Sequence, residues 1–347
     1  DKDVLAIKQT LYRVSSSSPV VQALEKAVQN GKQVTVLMEV KARFDEANNI
    51  LMARRLEKAG AHVIYGLVGL KTHSKCTLVI RREKDGIRRY VHVATGNYNA
   101  STAKLYTDLG ILTCNDRFGI DASAFFNLLS GYSDPPIWDS FIVAPINLRQ
   151  RCIELIDREI HFAKNGEDAH MIAKMNSLLD KGIIEKLYEA SQAGVKIELI
   201  VRGICVLIPG IPGISDNITV RSIVGRFLEH SRIFWFRNGG REELYISSAD
   251  WMPRNLNDRV ELMVPIEDPE IKRRLKQMVD IELSDNQKAH IMQADGTWLK
   301  TISAENQLCA QEYFQKIAEK RDAEDEMTLA QKLEPYTPVL GHGDGSD

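Results

Sequence analysis

Hydrophobic and polar residues alternate along the chain in blocks that predict strands followed by helices. Ser18-Pro19 predicts a helix start, because serine caps helices and proline suits the first helical position. Apolar residues then recur at helical spacing as far as Val28, and Gly31 ends the helix. The apolar run from Val34 to Val40 predicts a buried strand. This alternation predicts an α/β fold with mixed, mostly parallel sheets flanked by helices.

Other segments of the chain also predict helices and strands. Asp45 predicts the cap of a second helix that ends at Gly60, and 61–65 predicts the next strand. Residues 148–163 have the pattern of an amphipathic helix. Residues 305–333 predict one charged helix, and the polar tail after it is expected to be disordered.

The predicted elements occur twice. Shifting the sequence by 163 residues places 27–31 over 190–194 and 34–38 over 197–201. One unbroken offset over so many positions indicates two copies of one α/β unit. We therefore predict two similar domains, 1–135 and 136–302, with an active site in the cleft between them. Residues 303–347 would form the C-terminal charged helix and tail.

Composition narrows the class of protein. A chain of 347 residues can form two domains with real cores, and its net charge of −2 gives no case for nucleic-acid binding. The five cysteines never form CxxC, which argues against a zinc site or disulfide framework and fits a cytoplasmic protein. No apolar run reaches the roughly 18 residues of a membrane span, which leaves peripheral membrane association open. Because the sequence starts at Asp1 without an initiator methionine, we expect a piece of something longer.

Two histidines carry the most informative local pattern. His73 is followed two residues later by Lys75, and His230 by Arg232. Each motif is followed by a turn of small and polar residues, at 96–99 and 247–250. Histidine can act as nucleophile or proton donor near neutral pH, and a neighbouring cation suits a phosphate oxygen. The duplicated motif predicts one active site built from both copies.

Arginines add to this interpretation. Arg13, Arg43 and Arg202 each follow an apolar strand, and ligands of α/β sheets bind beyond the carboxyl ends of strands. Their forked donors suit phosphate oxygens, although surface or ion-pairing roles are the alternative. Tyr106 fits a nucleotide base or a core position equally well, and His92 suits a structural role.

Other phosphate chemistries lack their motifs. The sequence contains no Walker loop, HExxH motif or EF-hand loop. Mg²⁺ bound mainly through substrate phosphates would leave little trace in a sequence. Asp45-Glu46, Asp250 and Asp258 could touch such an ion, but nothing in the sequence predicts a metal site made of protein ligands alone.

The duplicated histidine motif and its turns resemble the phospholipase D superfamily. Longer strings resemble bacterial polyphosphate kinases of the first type, over a region from about Asp3 to Lys300. These strings are Thr10-Leu11-Tyr12-Arg13, Lys41-Ala42-Arg43-Phe44-Asp45-Glu46, Gly69-Leu70-Lys71-Thr72-His73-Ser74-Lys75, Thr95-Gly96-Asn97-Tyr98-Asn99, Leu105-Tyr106-Thr107-Asp108, Gly213-Ile214-Ser215-Asp216-Asn217 and Ser247-Ser248-Ala249-Asp250-Trp251-Met252.

The resemblance implies reversible transfer of the ATP γ-phosphate to inorganic polyphosphate through a phosphohistidine. It implies His73 as the phosphorylated nucleophile and His230 as its acid/base partner. The nucleotide-binding residues would be Tyr106, Arg202 and His230. The phosphate-binding residues would be Arg13, Arg43, Lys75, Arg232 and Arg259. Because arginine has no lone pair to give a metal, Arg13 and Arg43 would meet the family's Mg²⁺ only through phosphate or water.

The sequence also departs from these families. Phospholipases D carry an aspartate four residues after the lysine, where this chain has Val79-Ile80. The kinases carry two further domains before this region, for adenine binding and dimerisation, so the full-length protein is expected to be a homo-oligomer. Without those domains we expect weak nucleotide binding. The alternatives are a phospholipase D-like phosphodiesterase or nuclease, and an inactive polyphosphate-binding fragment.

Overall fold

The computed structural model describes residues 1–40, 46–131 and 137–332. Within that range, the first half contains three α-helices and eight strands. Its helices are α1 (Pro19–Gln29), α2 (Glu46–Ala59) and α3 (Asp116–Leu129). Its strands are β1 (Val4–Leu11), β2 (Gln33–Met38), β3 (His62–Tyr65), β4 (Lys71–Thr72), β5 (Lys75–Glu83), β6 (Gly86–Ala94), β7 (Tyr106–Thr107) and β8 (Gly110–Thr113).

The second half continues with strands and helices of similar length. Its helices are α4 (Leu148–Lys164), α5 (Lys181–Gln192), α6 (Pro253–Asn257), α7 (Pro269–Leu283) and α8 (Ala310–Lys332). Its strands are β9 (Ile142–Ala144), β10 (His170–Met175), β11 (Lys196–Val201), β12 (Ile218–Ile223), β13 (Leu228–Glu229), β14 (Ile233–Phe236), β15 (Glu243–Ser247), β16 (Arg259–Pro265), β17 (Ala289–Met292) and β18 (Trp298–Lys300).

The two halves repeat one sheet topology. The first sheet has the order β3-β2-β1-β5-β6-β8, and the second contains β12-β11-β10-β14-β15-β16 in the corresponding order. The second sheet is extended at one edge by β17 and β18, while β4 and β9 both pair with β16. The prediction of two copies of one α/β unit is therefore confirmed.

The predicted preponderance of parallel strands is wrong. Parallel pairing joins β1, β2 and β3 in one sheet and β10, β11 and β12 in the other. Most remaining pairs in both sheets are antiparallel. The cause is local, since β5 and β6 are separated by only Lys84 and Asp85, and a two-residue loop permits only an antiparallel hairpin.

The sequence predicted the start of α1 correctly and that of α8 incorrectly. The Ser18 hydroxyl accepts a hydrogen bond from the Val21 amide at 3.4 Å and caps α1 as predicted. The predicted cap of α2, Asp45, lies outside the described residues. Helix α8 starts at Ala310, not near residue 305, because Asp285 accepts a hydrogen bond from the Ala310 amide and fixes the first turn there. None of the described helices is both long and apolar enough to cross a membrane.

The halves are joined by a shared core and by two exchanged strand pairs. One hydrophobic cluster includes Leu78 and Phe125 from the first half and Trp235 and Leu262 from the second. Strand β4 of the first half pairs in parallel with β16, and β7 pairs in parallel with β13. These pairs place residues from both halves side by side at the ends of the short strands, where the two histidines lie.

Candidate active site

His73 directly follows β4 and is held by a carboxylate from the other half. Pairing of Val260 with Thr72 sets Glu261 opposite His73. The His73 Nδ1 lies 2.8 Å and 3.0 Å from the two carboxylate oxygens of Glu261. Since a carboxylate accepts, Nδ1 carries the proton and donates it, and Nε2 keeps the lone pair. The ring of Tyr12 meets His73 edge-on, with centroids 4.7 Å apart.

Burial controls the charges around His73. His73 is 7% exposed, Lys75 is 1% exposed and Glu261 is fully buried. Burial lowers the pKa of His73 well below its usual value, and the cations Lys75 and Arg259 lower it further. Burial also lowers the pKa of Lys75 to about 7 and raises the pKa of Glu261 to about 7. His73 is therefore neutral near pH 7, as a nucleophilic imidazole must be.

Lys75 points back to the nucleophile candidate. Its Nζ lies 3.1 Å from His73 Nε2 and 3.2 Å from Nδ1. The Glu261 carboxylate also accepts a hydrogen bond from Ser248, at 2.5 Å. These contacts fix the His73 ring and put a cation beside Nε2, the nitrogen that Glu261 does not contact. A transferring phosphoryl group at Nε2 would meet that cation directly.

A cationic cleft of about 480 Å³ opens beside His73. Tyr12, which contacts His73, forms part of its wall. Its other lining residues are Arg13, Gly69, Lys71, Arg254, Asp258 and Arg259. Arg13 lies over the Tyr12 ring, 5.6 Å from its centroid. Four cations and one carboxylate line this cleft, so it suits a polyanion.

His230 directly follows β13 and is held in the same manner by the first half. Pairing of Glu229 with Thr107 sets Asp108 opposite His230. The His230 Nδ1 donates to Asp108 Oδ1 at 2.7 Å, and Thr95 donates to the same oxygen at 2.7 Å. Gly96 allows this approach, because a Cβ at that position would lie 2.2 Å from Asp108 Oδ2. Each histidine thus donates to a carboxylate of the opposite half.

The predicted nucleotide-binding residues lie around His230. The Tyr106 and His230 rings are 5.0 Å apart between centroids. Arg202 Nε donates to Asn176 Oδ1 at 2.7 Å, and Asn176 Nδ2 donates to the His230 carbonyl at 3.3 Å. The sequence alone could not decide whether Tyr106 is a core residue or contacts a nucleotide base. Its half-buried side chain beside His230 supports contact with a nucleotide.

Arg232 corresponds to Lys75 but is paired more firmly. Its Nε donates to Asp250 Oδ1 at 3.1 Å, and its Nη1 lies 3.2 Å from His230 Nε2. The turn 247–250 therefore reaches the site through Asp250. The turn 96–99 does so less directly, because the Asn99 side chain accepts from the Ser101 and Thr102 amides of its own segment.

The two histidine groups belong to one electrostatic cluster. Arg232 and His230 both contribute to lowering the pKa of His73, after burial and the nearer cations. Lys75 likewise contributes to lowering the pKa of His230, for which burial is the main cause. The structure thus brings together His73, Lys75, His230 and Arg232, with Arg259 and Arg13 on the His73 side and Arg202 on the His230 side. Arg43 lies outside the described residues.

The partner carboxylates were not predicted from the sequence. Asp108 lies in one of the quoted strings and Glu261 in none, and neither was given a role. A signal existed, because they are 153 residues apart while the two histidines are 157 apart. A carboxylate repeated at nearly the same offset as a histidine is the pattern of a duplicated pair.

Comparisons with known proteins identify the family of the chain. Family profiles described as polyphosphate kinase C-terminal domain 1 and C-terminal domain 2 match residues 1–135 and 141–311. A polyphosphate kinase of Halalkalibacterium halodurans is 61% identical over 289 residues, which make up 83% of this chain and 41% of that relative. The chain therefore spans less than half of that relative's length.

Solved structures show the same relationship. The crystal structure of polyphosphate kinase from Porphyromonas gingivalis matches 93% of this chain and 50% of its own, with a TM-score of 0.86 and 38% identity. A phosphatidylserine synthase of Haemophilus influenzae matches 94% of this chain and 90% of its own, with a TM-score of 0.55 and 12% identity, which shows a shared fold alone. The predicted duplicated α/β fold is confirmed. With both C-terminal domain profiles matched over most of its length, the chain belongs to the polyphosphate kinase family.

Proposed function

We propose that this chain carries the catalytic centre for reversible transfer of the ATP γ-phosphate to inorganic polyphosphate, through a phosphohistidine at His73. The observation that carries this proposal is the held Nδ1 of His73, which leaves Nε2 as a neutral nucleophile beside Lys75 and a cationic cleft. The two domains, 1–135 and 136–302, would each supply half of this centre.

In the first step, His73 Nε2 attacks the γ-phosphorus and the bond from phosphorus to the bridging oxygen of ADP breaks. The electron pair of that bond leaves with ADP. Phosphoryl transfer depends mainly on positioning and on stabilising charge, and Lys75, Arg232 and Arg259 supply the charge. Glu261 accepts the Nδ1 proton of His73 in a hydrogen bond and steadies the cationic ring that forms.

In the second step, a terminal oxygen of polyphosphate attacks the same phosphorus and the bond from phosphorus to Nε2 breaks. Neutral His73 is regenerated and the polymer is one phosphate longer. The line of cations at Arg13, Lys71, Arg254 and Arg259 would hold the polymer end in the cleft. Because an ATP γ-phosphate and a polyphosphate end are similar groups, one pocket can serve both directions.

His230 is proposed to act on the nucleotide side. Its Nδ1–H···Asp108 contact leaves Nε2 toward the cluster, where it can give a proton to, or take one from, the ADP oxygen. Tyr106 and Arg202 would contact nucleotide beside it. Asp108 would stabilise the imidazolium form that proton transfer creates.

Mg²⁺ is proposed to be bound mainly by substrate phosphates. No cluster of three or more His, Cys, Asp or Glu side chains suited to a metal is found within the described ranges. Asp258 gives the cleft a carboxylate, and the arginines there suit phosphate oxygens that a cation also binds. When bound, the ion would neutralise phosphate charge.

The test is incubation with γ-³²P-labelled ATP and Mg²⁺, with and without a polyphosphate primer. We expect labelled protein that is stable in alkali and labile in acid, together with ADP and longer polymer. Cleavage of a phosphodiester without such labelling would favour a phosphodiesterase or nuclease. Polyphosphate binding without any phosphohistidine would leave only a binding fragment.

A further inference from the structure

The strand that directly precedes His230 has little backbone support of its own. Strand β13 is two residues long and pairs only with β7 in the described structure, forming a separate two-stranded sheet. The Leu228 amide donates to the Leu105 carbonyl at 2.8 Å, and the His230 amide donates to the Thr107 carbonyl at 3.2 Å. Such a short ladder opens easily unless side chains hold it.

A glutamine of helix α8 stabilises this short ladder through side-chain hydrogen bonds. Gln311 is 7% exposed and lies in the first turn of α8. Its Oε1 accepts from the Phe227 amide at 3.0 Å, and its Nε2 donates to the Phe227 carbonyl at 2.9 Å. Nε2 also donates to Glu229 Oε1 at 2.7 Å. One side chain thus satisfies both backbone groups of Phe227 and the carboxylate next to His230.

The other oxygen of Glu229 completes a buried network. Glu229 Oε2 accepts from Lys174 Nζ at 2.7 Å and from Thr107 Oγ1 at 2.8 Å. Lys174 is 2% exposed and also contacts the buried Glu282 of α7. Removing one member of a buried network leaves its partners unsatisfied, so each contact matters more than it would at a surface.

We infer that Gln311 and Glu229 are positioning residues for His230, so that the start of helix α8 belongs to the support of the active site. Gln311 binds Phe227 and Glu229, and His230 follows this segment directly. Lys174 and Thr107 hold the other oxygen of Glu229. The start of α8 is itself fixed, because Asp285 accepts from the Ala310 amide at 2.7 Å. Only the kinetic part of this inference rests on the proposed function.

The structural test is hydrogen exchange, measured by mass spectrometry on peptides that cover 104–109 and 226–232. In Gln311→Ala these peptides should exchange at least about tenfold faster than in the wild type, because the ladder has lost its side-chain anchor. The matched control is Gln315→Ala, one turn along α8, where the side chain is exposed and pairs with Glu319. Equal exchange in the two variants would overturn the inference, whatever reaction the chain catalyses.

The kinetic test compares three substitutions in the rate at which ATP labels His73. Gln311→Ala should slow labelling about tenfold, since a small misplacement of a catalytic group is costly. Gln311→Glu should slow it more, although it keeps the side-chain size, because the new carboxylate would face the Phe227 carbonyl and Glu229. Glu229→Gln should resemble Gln311→Ala, because one accepting oxygen of Glu229 becomes an NH2 group that faces either the Gln311 amide or Lys174.

Lowering the pH should partly restore Gln311→Glu, since a protonated carboxyl can donate again. If Gln311 only fills space, Gln311→Glu will be close to wild type and Gln311→Ala the slower variant, and the inference is then wrong. Glu229→Gln keeps the test decisive if Gln311→Ala does not fold, because it removes one accepting oxygen of Glu229 from the network without removing volume. If the wild type labels nothing, the proposed function fails while the exchange comparison still decides the positioning role.

Discussion

The two histidines are placed by the same design but with different rigidity and charge. His73 follows a strand that joins the large second sheet through β16, whereas His230 follows a strand in an isolated two-stranded ladder. His73 therefore has an extended sheet behind it, and His230 depends on side chains such as Gln311. The two histidines occupy corresponding positions in the repeated halves, and they differ in the structure that supports each of them.

The carboxylates that hold the two histidines, Glu261 and Asp108, also differ in burial and pKa. Glu261 is fully buried, and burial raises its pKa to about 7, so its negative charge is lost as the pH falls through that value. The Asp108 side chain is 23% exposed. Its partial burial acts to raise its pKa, but the hydrogen bond from His230 and the charges of His230 and Arg232 outweigh burial, so the pKa of Asp108 is lowered. A carboxylate that stays ionised near neutral pH, such as Asp108, stabilises a protonated imidazole better than one that is partly protonated there, such as Glu261. The comparison favours His73 as the neutral nucleophile and His230 as the group that handles protons.

The largest expected effect comes from His73→Gln. It removes the proposed nucleophile, so we expect no labelled phosphoenzyme and no polymer. The control is His62→Gln, an exposed histidine on β3 of the same half. Labelled phosphoenzyme in His73→Gln, measured by autoradiography under alkaline conditions, would sink the assignment.

A comparison of Asp108→Asn with Glu261→Gln should separate the two roles. Asp108→Asn removes the anion that stabilises protonated His230, and we expect transfer from ATP to slow about 100-fold. Glu261→Gln preserves an acceptor for His73 Nδ1 and removes a charge that burial already disfavours, so we expect less than about a tenfold loss. Rapid-quench measurement of His73 labelling checks both. The reverse order of effects would contradict the proposed division of labour.

The smallest expected effect near neutral pH is that of Lys75→Arg. The pKa of Lys75 is about 7, so its positive charge is lost as the pH rises through that value. The kcat/KM for ATP reports the free enzyme and should fall by up to about tenfold per pH unit above it. An arginine stays charged, and Arg232 shows that the corresponding position accepts one. We expect the alkaline fall to move to higher pH in Lys75→Arg, and an unchanged profile would rule out Lys75 as its cause.

Much of the fold could be predicted because its signals are local. Ser18-Pro19 and Gly31 mark α1, and the offset of 163 residues reveals the repeat. The exchanged pairs could not be predicted in this way, since β4 and β7 are two residues long and show no periodicity. The same limit hid the carboxylates, because Glu261 is 188 residues from His73 and Asp108 is 122 from His230. Local pattern identified the histidines, and only the tertiary structure showed what holds each.

We propose that His73 accepts the phosphoryl group on Nε2 because Glu261 occupies Nδ1. The most direct measurement is to label the protein with ATP, locate the phosphate by mass spectrometry and assign its nitrogen by ³¹P–¹⁵N coupling. We expect one phosphate, on His73 Nε2, with His230 unmodified. Phosphate on His230, on His73 Nδ1, or polymer growth with no phosphohistidine at all would contradict it.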